Sequence, residues 1–261
     1  MENDNLLVVE NLKKYYPINA SVLGKAKSFV KAVDDVSFTI KRGTTMGLVG
    51  ESGCGKTTVG RTILRLHDVT GGTVMFKGRD LAKLSKKELR SLRPHMQMIF
   101  QDPYSSLSPR MPVGEIIGEA VRTHNIVPKS QYQSYIRKVM KDCGLQPQYF
   151  YRYPHEFSGG QRQRICIARA VALNPEFIIC DEPVSALDVS IQAQIINLMK
   201  DLQTQFGYTY LFISHDLNVV YQLCDSALVM KQGRIVEQGT VDELFDHPKD
   251  PYTKQLLAAA E

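Results

Sequence analysis

The sequence lacks any apolar run approaching the roughly 20 residues that a membrane-spanning helix needs. Its N-terminus, residues 1–5, is polar and slightly acidic, so no signal peptide is expected and a membrane role would come through a partner. Cysteines are few, odd in number and widely spaced without a C-x-x-C pair, which argues against a disulfide framework or a cysteine metal site. We expect reduced cytosolic thiols at Cys54, Cys143, Cys166, Cys180 and Cys224.

An excess of charge of one sign is also missing. The net charge of +5 over 261 residues is small and dispersed, so by itself it does not argue for a nucleic-acid partner. The densest basic stretch, residues 83–93, is predicted to form the solvated face of a helix. Tryptophan, internal repeats, coiled-coil heptads and low-complexity tracts are absent from an otherwise ordinary soluble composition. The length allows one large α/β domain or two small ones.

What the sequence does contain is a glycine-rich loop between a predicted strand and a predicted helix. Residues 50–57 follow the pattern G-x-x-x-x-G-K-T. The apolar residues 45–49 before it are typical of a buried parallel strand, and Val59, Ile63 and Leu66 after it share one helix face. This context favours a phosphate-binding loop over a glycine-rich turn with an incidental lysine.

A loop of this kind wraps a polyphosphate with its backbone N–H groups and with the positive end of the following helix. Lys56 is then predicted to reach the β- and γ-phosphates, and Thr57 to give its hydroxyl to Mg²⁺.

The N-terminal region predicts an antiparallel sheet. A first strand is expected at residues 6–9, and the alternation around residues 36–40 predicts a half-buried strand, with a loop over residues 17–30 between them. Tyr15 and Tyr16 stand at the end of the first strand, where either ring packs against the protein or stacks on a purine.

The middle third predicts helices inserted into an α/β core. Strands are expected at residues 73–76 and 96–100, the second ending at Gln101, and a helix-forming region spans about 113–150. Capping boxes of the form S/T-x-x-E predict further helix starts at Ser85 and Thr240.

Two segments in the second half carry chemistry. The run Phe-Ser-Gly-Gly-Gln at residues 157–161 precedes a helical stretch, 162–173, and predicts a second anion-binding helix start. A buried strand follows at residues 177–182. It ends in Asp181, suited to holding a metal through water, and Glu182, suited to deprotonating a water molecule, although an acidic strand-end turn is the alternative.

The remaining elements complete the pattern. After residues 185–188 a helix is predicted, and its apolar face consists of Ile191, Ile195, Leu198, Met199 and Leu202. A buried strand predicted at residues 210–213 leads to His215. Ligands gather at the carboxyl ends of such strands, so His215 is placed to reach a γ-phosphate. A hairpin is predicted around residues 231–234, with a small helix in the tail.

In this order, the motifs resemble the nucleotide-binding subunit of ATP-binding cassette (ABC) transporters over essentially the whole chain. Residues 157–161 resemble the family signature LSGGQ, with Phe157 as a mild departure from Leu, and other lysine-loop ATPases and kinases lack this signature. The resemblance implies an α/β fold: a P-loop NTPase (RecA-like) core with an N-terminal antiparallel β subdomain and an inserted α-helical subdomain. It implies one domain over residues 1–261, with the helical subdomain at about 103–170 and a tail at about 240–261.

The resemblance also assigns roles to residues. Glu182 is implied as the general base, His215 as the switch histidine and Gln101 as the glutamine that contacts Mg²⁺ and the attacking water. Mg²⁺ is implied at Thr57, Gln101 and Asp181. ATP contacts are implied at Tyr16 (with Tyr15 as a register alternative), Gly50, Glu51, Ser52, Gly53, Cys54, Gly55, Lys56, Thr57, Thr58, Ser158, Gly159, Gly160, Gln161 and Asp188.

Partners follow from the same resemblance. Two ATPase subunits, identical or different, pack head to tail so that the signature of one covers the γ-phosphate held by the other. Two transmembrane permease subunits and an extracellular or periplasmic substrate-binding protein complete the implied assembly, with this subunit peripheral on the cytoplasmic side of the membrane and no nucleic acid involved.

A narrower resemblance points to the oligopeptide and dipeptide importer branch. It is carried by Tyr-Pro-His-Glu at 153–156, His-Pro at 247–248 and Pro-Tyr-Thr at 251–253. Some members of the branch carry an iron–sulfur cysteine cluster after this tail, and since the sequence stops at Glu261, no such cluster is expected.

Several alternatives stay open at this point. A nickel or metallophore importer belongs to the same branch. A cassette ATPase acting on DNA or ribosomes would usually carry tandem cassettes, a long coiled coil or zinc modules. A small-molecule kinase would have no use for the signature, and a module that only senses ATP would not need Glu182 or His215.

Overall fold

The computed structural model describes residues 4–18 and 28–259. The strands are β1 (Asn5–Ile18), β2 (Ser28–Lys41), β3 (Thr45–Val49), β4 (Gly71–Phe76), β5 (Arg79–Asp80), β6 (Met96–Ile99), β7 (Phe177–Asp181), β8 (Thr209–Ser214), β9 (Ser226–Lys231) and β10 (Arg234–Thr240). The α-helices are α1 (Lys56–Ile63), α2 (Lys86–Leu92), α3 (Pro103–Ser106), α4 (Val113–Thr123), α5 (Tyr132–Asp142), α6 (Gly159–Val171), α7 (Val189–Phe206), α8 (Leu217–Leu223), α9 (Val241–Asp246) and α10 (Pro251–Ala258).

The chain divides into two units. Unit 1 consists of Met1–Arg90 and Leu211–Glu261, and unit 2 of Ser91–Tyr210. The expectation of one domain over the whole chain stays a prediction.

Unit 1 contains an antiparallel sheet with the strand order β2-β1-β4-β5. The predicted alternation in β2 is confirmed, because Val36, Phe38 and Ile40 are buried and their neighbours are exposed. The first strand is longer than predicted, since β1 covers residues 5–18 and pairs as far as Ile18 with Ser28.

The predicted loop at residues 17–30 is therefore wrong at both ends, and residues 19–27 lie outside the described part of the chain. The far ends of β1 and β2 are exposed on both faces, so no apolar alternation marks them as strands.

A second group of strands in unit 1 has the order β10-β9-β3-β8. β3 pairs in parallel with β9, and β9 pairs antiparallel with β10, as the predicted hairpin requires. β3 has the predicted bounds, and Val59 and Ile63 on α1 are fully buried. Leu66 is a correction: α1 ends at Ile63, and Leu66 beyond it is 46% exposed.

Unit 2 has two parallel strands and several helices. β6 pairs with β7, with Met98 opposite Ile179, and every residue of β7 is buried. The predicted helix-forming region at 113–150 contains α4 and α5, followed by a 3₁₀ segment at Pro147–Tyr151. α7 buries Ile195, Leu198, Met199 and Leu202 of the predicted apolar face, whereas Ile191 is only half-buried.

Helix starts follow the capping chemistry. At Ser85, the backbone N–H donates to Glu88 Oε2 (2.9 Å) and the hydroxyl accepts from Glu88 N–H (3.3 Å), so the predicted capping box is confirmed. Thr240 and Glu243 form the same pair of bonds at the start of α9.

The five cysteines are free and buried. Burial raises the pKa of the Cys143 thiol to about 12 and that of Cys166 to about 11. Within the described residues, no helix has both the length and the hydropathy to cross a bilayer.

A hydrogen-bonded cluster around Asp34 connects β1, β2 and the β9–β10 turn within unit 1. The Asp34 carboxylate accepts from Arg234 Nη2 (2.6 Å) and Nε (3.1 Å) and from the Tyr15 hydroxyl. The Asp34 backbone N–H donates to Gly233 O (2.8 Å). Hydrogen bonds from Tyr15 and then from Arg234 lower the pKa of Asp34 to about 2.

We predict that Asp34→Asn destabilises the protein in a pH-dependent way. Because the folded pKa is depressed, the ionised carboxylate stabilises the fold above the unfolded pKa of about 3.9, and this stabilisation is lost as the pH falls towards 2. The difference in unfolding free energy between wild type and variant, from urea titrations, should be largest near neutral pH and shrink in that acidic range. Asp35→Asn, at an exposed neighbouring carboxylate, is the control, and a difference independent of pH would contradict the prediction.

Candidate functional site

The glycine-rich loop joins β3 to α1 in unit 1 and has a backbone that only glycine can adopt. Gly50, Gly53 and Gly55 have φ of 151°, 79° and 112°. A Cβ atom on Gly50 would lie 2.2 Å from Met230 O, and one on Gly55 would lie 2.1 Å from Ala32 O. The loop is therefore a cradle of backbone packed against two neighbouring strands of the same unit.

Lys56 is buried inside this loop and is 4% exposed. Its Nζ donates to Gly50 O (2.6 Å) and Glu51 O (2.9 Å). α1 begins at Lys56, with Gly55 as its N-cap and no side-chain capping bond. These are the features that a polyphosphate site at a helix start requires.

Two contacts that the sequence did not predict hold the loop from outside. Gly233, in the β9–β10 turn, donates its backbone N–H to Cys54 O (2.9 Å). The Glu51 backbone N–H donates to the Tyr252 hydroxyl of α10 (3.1 Å). In the sequence, Tyr252 stands out only as part of a tail motif. No local pattern links it to Glu51, about two hundred positions earlier.

The two candidate aromatic residues on β1 differ in what they contact. The Tyr15 hydroxyl is bonded to Asp34, whereas the Tyr16 ring is half-buried and meets the His67 ring edge-on at 6.0 Å. Lys14 Nζ lies 4.9 Å from the centroid of Tyr16. This arrangement favours Tyr16 over its register alternative as a platform for a base.

His215 directly follows β8 and is exposed. The turn that carries it is fixed by Ser214, whose hydroxyl accepts from Asp216 N–H (2.9 Å), and by Asp216, which caps α8 through Asn218 N–H (2.9 Å). His215 therefore projects from a short rigid turn at the carboxyl end of a strand, as predicted.

In unit 2, the structure brings Gln101 and Glu182 together. Gln101 Nε2 donates to Glu182 Oε2 at 3.0 Å, because the carboxyl ends of the parallel neighbours β6 and β7 meet at one edge. Asp181, the last residue of β7, is 1% exposed. Glu182 has φ of 47°, in the left-handed region that non-glycine residues rarely adopt.

The segment after Gln101 is held by Asp102. Its carboxylate accepts from the backbone N–H groups of Tyr104 (2.8 Å) and Ser105 (3.2 Å) at the start of α3. A side-chain hydrogen bond from Ser105 is the largest cause that lowers the pKa of Asp102. The backbone on both sides of Gln101 is thus fixed, by β6 before it and by this cap after it.

The glycine-rich segment before α6 forms a capping box. Ser158 Oγ accepts from Gln161 N–H (3.4 Å), and Gln161 Oε1 accepts from Ser158 N–H (3.1 Å). A Cβ on Gly160 would lie 2.6 Å from Ile191 Cγ2 of α7, so glycine is required where these helices meet. α6 therefore begins at Gly159 and not at the predicted Arg162.

Asp188 stands at the start of α7, where its side chain makes no capping bond and is exposed.

The residues predicted to hold Mg²⁺ have suitable chemistry. Thr57, Gln101 and Asp181 offer a hydroxyl, an amide oxygen and a carboxylate, which are the hard oxygen donors that Mg²⁺ prefers beside phosphates and water. The described residues contain no group of three or more His, Cys, Asp or Glu side chains suited to a metal ion. The three predicted donors fit a metal ion that binds together with a nucleotide, because phosphate and water then supply its other ligands. They fit less well a metal ion held by protein side chains alone.

The family model described as ABC transporter matches residues 33–185, which include the glycine-rich loop, the signature segment and the strand that ends at Asp181. The chain belongs to the ABC transporter family. This match spans residues of both units.

Relatives of this family member include two from Bacillus subtilis strain 168. The chain is 52% identical to the oligopeptide transport ATP-binding protein AppF, in an alignment that covers 98% of this chain and 78% of the length of the relative. It is 51% identical to the oligopeptide transport ATP-binding protein OppF, over 98% of the chain and 82% of the relative.

Solved structures share its fold. CbiO1 from Clostridium perfringens, part of the ABC transporter complex cbiONQ, superposes with a TM-score of 0.81 at 26% identity, over 94% of this chain and 92% of that one. The ATP-binding cassette MJ0796, solved as a dimer with ADP and Pi, superposes with a TM-score of 0.79 at 26% identity. This superposition covers 90% of this chain and 98% of that one. The predicted P-loop NTPase fold, with its antiparallel β and helical parts, is confirmed.

We predict that Gly55→Ala is more damaging than Gly53→Ala. Both residues have positive φ, which costs an alanine about 1–2 kcal/mol. Only at Gly55 does the new methyl also meet backbone, since a Cβ on Gly53 would have no heavy atom within 4 Å. Urea unfolding of the three proteins should give free energies of unfolding that decrease in the order wild type, Gly53→Ala, Gly55→Ala. Equal stabilities of the two variants would contradict the loop geometry.

Proposed function

We propose that this chain is the ATP-hydrolysing subunit of an importer that takes up peptides across the cytoplasmic membrane. The observation that carries the hydrolytic part is the Gln101–Glu182 hydrogen bond, since a module that only senses ATP has no need of a positioned carboxylate. The peptide specificity is supported by relatives at 51–52% identity that are named oligopeptide transport ATP-binding proteins.

ATP binding is assigned to unit 1. Residues 50–58 surround the phosphates with backbone N–H groups, Lys56 turns its ammonium from the loop carbonyls to the β- and γ-oxygens, and Tyr16 stacks on the adenine. Thr57 of unit 1 and Gln101 and Asp181 of unit 2 are the residues that would hold Mg²⁺, which would neutralise charge on the phosphate oxygens. Lys56 already lies beside two partial negative charges, so exchanging them for phosphate oxygens keeps it bonded.

Hydrolysis is assigned to Glu182. Its carboxylate accepts a proton from the water that attacks the γ-phosphate, and Gln101 fixes the direction in which the carboxylate points. His215 donates to a γ-phosphate oxygen. The left-handed backbone at Glu182 supports this assignment, because residues held in sparsely populated conformations cluster at active sites.

The signature segment serves a second copy of the site. Ser158 Oγ accepts a hydrogen bond from its own helix, which leaves its hydroxyl hydrogen available to donate to an outside acceptor such as a phosphate oxygen of a second ATPase subunit. Gly159, Gly160 and Gln161 approach with it, and Asp188 lies at the subunit crossing. The cassette MJ0796, solved as a dimer with ADP and Pi, supports pairing with a second ATPase subunit, identical or different; the head-to-tail arrangement is part of the proposal.

The wider assembly follows from peptide import. Two transmembrane permease subunits bind this subunit at the cytoplasmic face of the membrane, and an extracellular or periplasmic binding protein delivers the peptide. Closing and opening of the ATPase pair drives alternating access in the permeases. No nucleic acid is involved.

We predict that Glu182→Gln retains ATP binding but abolishes turnover and traps a dimer. The amide keeps the size and polarity of the side chain yet cannot take a proton from water. Nucleotide titration, phosphate release and size-exclusion chromatography with MgATP test this on the purified chain, and peptide uptake by vesicles containing the permeases and binding protein tests transport. Uptake should be lost with turnover.

The matched control is Glu119→Gln, an exposed carboxylate on α4, which should hydrolyse ATP and support uptake like wild type. Brisk hydrolysis by Glu182→Gln would remove the assigned base. Wild-type hydrolysis without peptide uptake would leave the ATPase assignment standing and overturn peptide import.

We also predict that Lys56→Ala loses nucleotide affinity. A charge-assisted bond to phosphate contributes about 1.5–3 kcal/mol, so the dissociation constant for ATP should rise at least tenfold. Equilibrium titration with a fluorescent ATP analogue measures the change. Binding as tight as that of wild type would count against the loop as the phosphate site.

A further inference from the structure

The C-terminal helix α10 makes a direct contact with the phosphate loop. Tyr252, its second residue, is 4% exposed, and its hydroxyl accepts from the backbone N–H of Glu51 at 3.1 Å. This contact lies within unit 1 and joins residues 201 positions apart. Nothing in the roles assigned above uses it.

The peptide group that Tyr252 binds also binds Lys56. In a trans peptide, the carbonyl and the N–H point in opposite directions, so the 50–51 peptide presents one group to each partner. Its carbonyl, Gly50 O, accepts from Lys56 Nζ at 2.6 Å, while its N–H donates to Tyr252. The next carbonyl, Glu51 O, accepts from Lys56 Nζ (2.9 Å) and from Cys54 N–H (3.3 Å).

The backbone of Gly50 itself adds little torsional restraint on this peptide. Gly50 has φ of 151°, and a glycine backbone lets the adjoining peptide plane turn at little steric cost. A turned peptide would take Gly50 O away from Lys56 and redirect the ammonium. The Tyr252 hydroxyl opposes that rotation from the side opposite the lysine.

Tyr252 is itself rigidly placed. Asp250 caps α10 by accepting from Tyr252 N–H (2.8 Å), and Glu237 of β10 accepts from the N–H groups of Lys249 (2.8 Å) and Asp250 (3.0 Å). Lys231 Nζ lies 4.5 Å from the centroid of the Tyr252 ring. Burial raises the pKa of Tyr252, so the hydroxyl is protonated and neutral at physiological pH.

We infer that Tyr252 is a positioning residue for ATP binding, which orients the 50–51 peptide and through it the ammonium of Lys56. The inference rests on the proposed function of the loop. It gives the C-terminal tail a role in nucleotide affinity: the tail supplies the outer restraint that the loop's own glycines cannot.

The test is Tyr252→Phe, which removes the hydroxyl and keeps the ring. Loss of the hydrogen bond that the hydroxyl accepts from the Glu51 N–H, about 1 kcal/mol, predicts that the KM for MgATP rises about fivefold, while kcat stays within about twofold because Gln101 and Glu182 are untouched. The dissociation constant for ATP, measured in a Glu182→Gln background without turnover, should rise by the same factor. Tyr221→Phe, at an exposed tyrosine of α8, is the control and should change neither.

Hydrogen exchange gives a second readout on the full-length wild type that needs no variant to fold. The Glu51 amide should exchange more slowly than that of exposed Ser52, and Tyr252→Phe should abolish the difference. A Glu51 amide that exchanges as fast as Ser52 in wild type would overturn the inference.

The kinetic outcomes separate the two proposals. An unchanged KM and dissociation constant in Tyr252→Phe, with ATP affinity lost in Lys56→Ala, would overturn the positioning role and leave the proposed function intact. A lower melting temperature with unchanged KM would show a structural role only and would also overturn it. Normal ATP binding by Lys56→Ala would instead overturn the proposed function.

Discussion

Burial of the Lys56 ammonium group is the constraint that the rest of unit 1 has to meet. A charge removed from water costs several kcal/mol unless hydrogen bonds replace its hydration, and here the carbonyls of Gly50 and Glu51 do so. Both carbonyls can point inward only if the loop curls back on itself, which demands positive φ at its glycines. β3 and α1 then serve as rigid supports that deliver the two ends of the loop to the right separation.

In unit 2 the corresponding constraint is the orientation of a carboxylate. The amide of Gln101 donates to Glu182 Oε2 at 3.0 Å and so fixes the direction in which this side chain points. A left-handed backbone at Glu182 costs of order 1 kcal/mol or more and persists only if the surroundings fix it. The buried strand β7 before it supplies that support.

How far the sequence predicted the structure depended on the range of the interactions. β3, the capping boxes at Ser85 and Thr240 and the strand before Asp181 follow from local periodicity and side-chain chemistry, and the structure has them. The extended ends of β1 and β2 were missed because both of their faces are exposed. The bonds from Glu51 to Tyr252 and from Gln101 to Glu182 depend on tertiary folding, and only the resemblance to a family grouped the second pair.

The start of α6 shows why helix propensity alone can misplace the first residue of a helix. Gly159 and Gly160 have low helix propensity, which placed the predicted start at Arg162, yet both lie inside the helix because Ser158 and Gln161 cap each other. Gly160 is also required where α6 passes Ile191. In the proposed function this helix start faces a phosphate, and residues without side chains let such a group approach the backbone closely. A substitution at Gly160 would then affect both the packing of α6 against Ile191 and the approach of the phosphate.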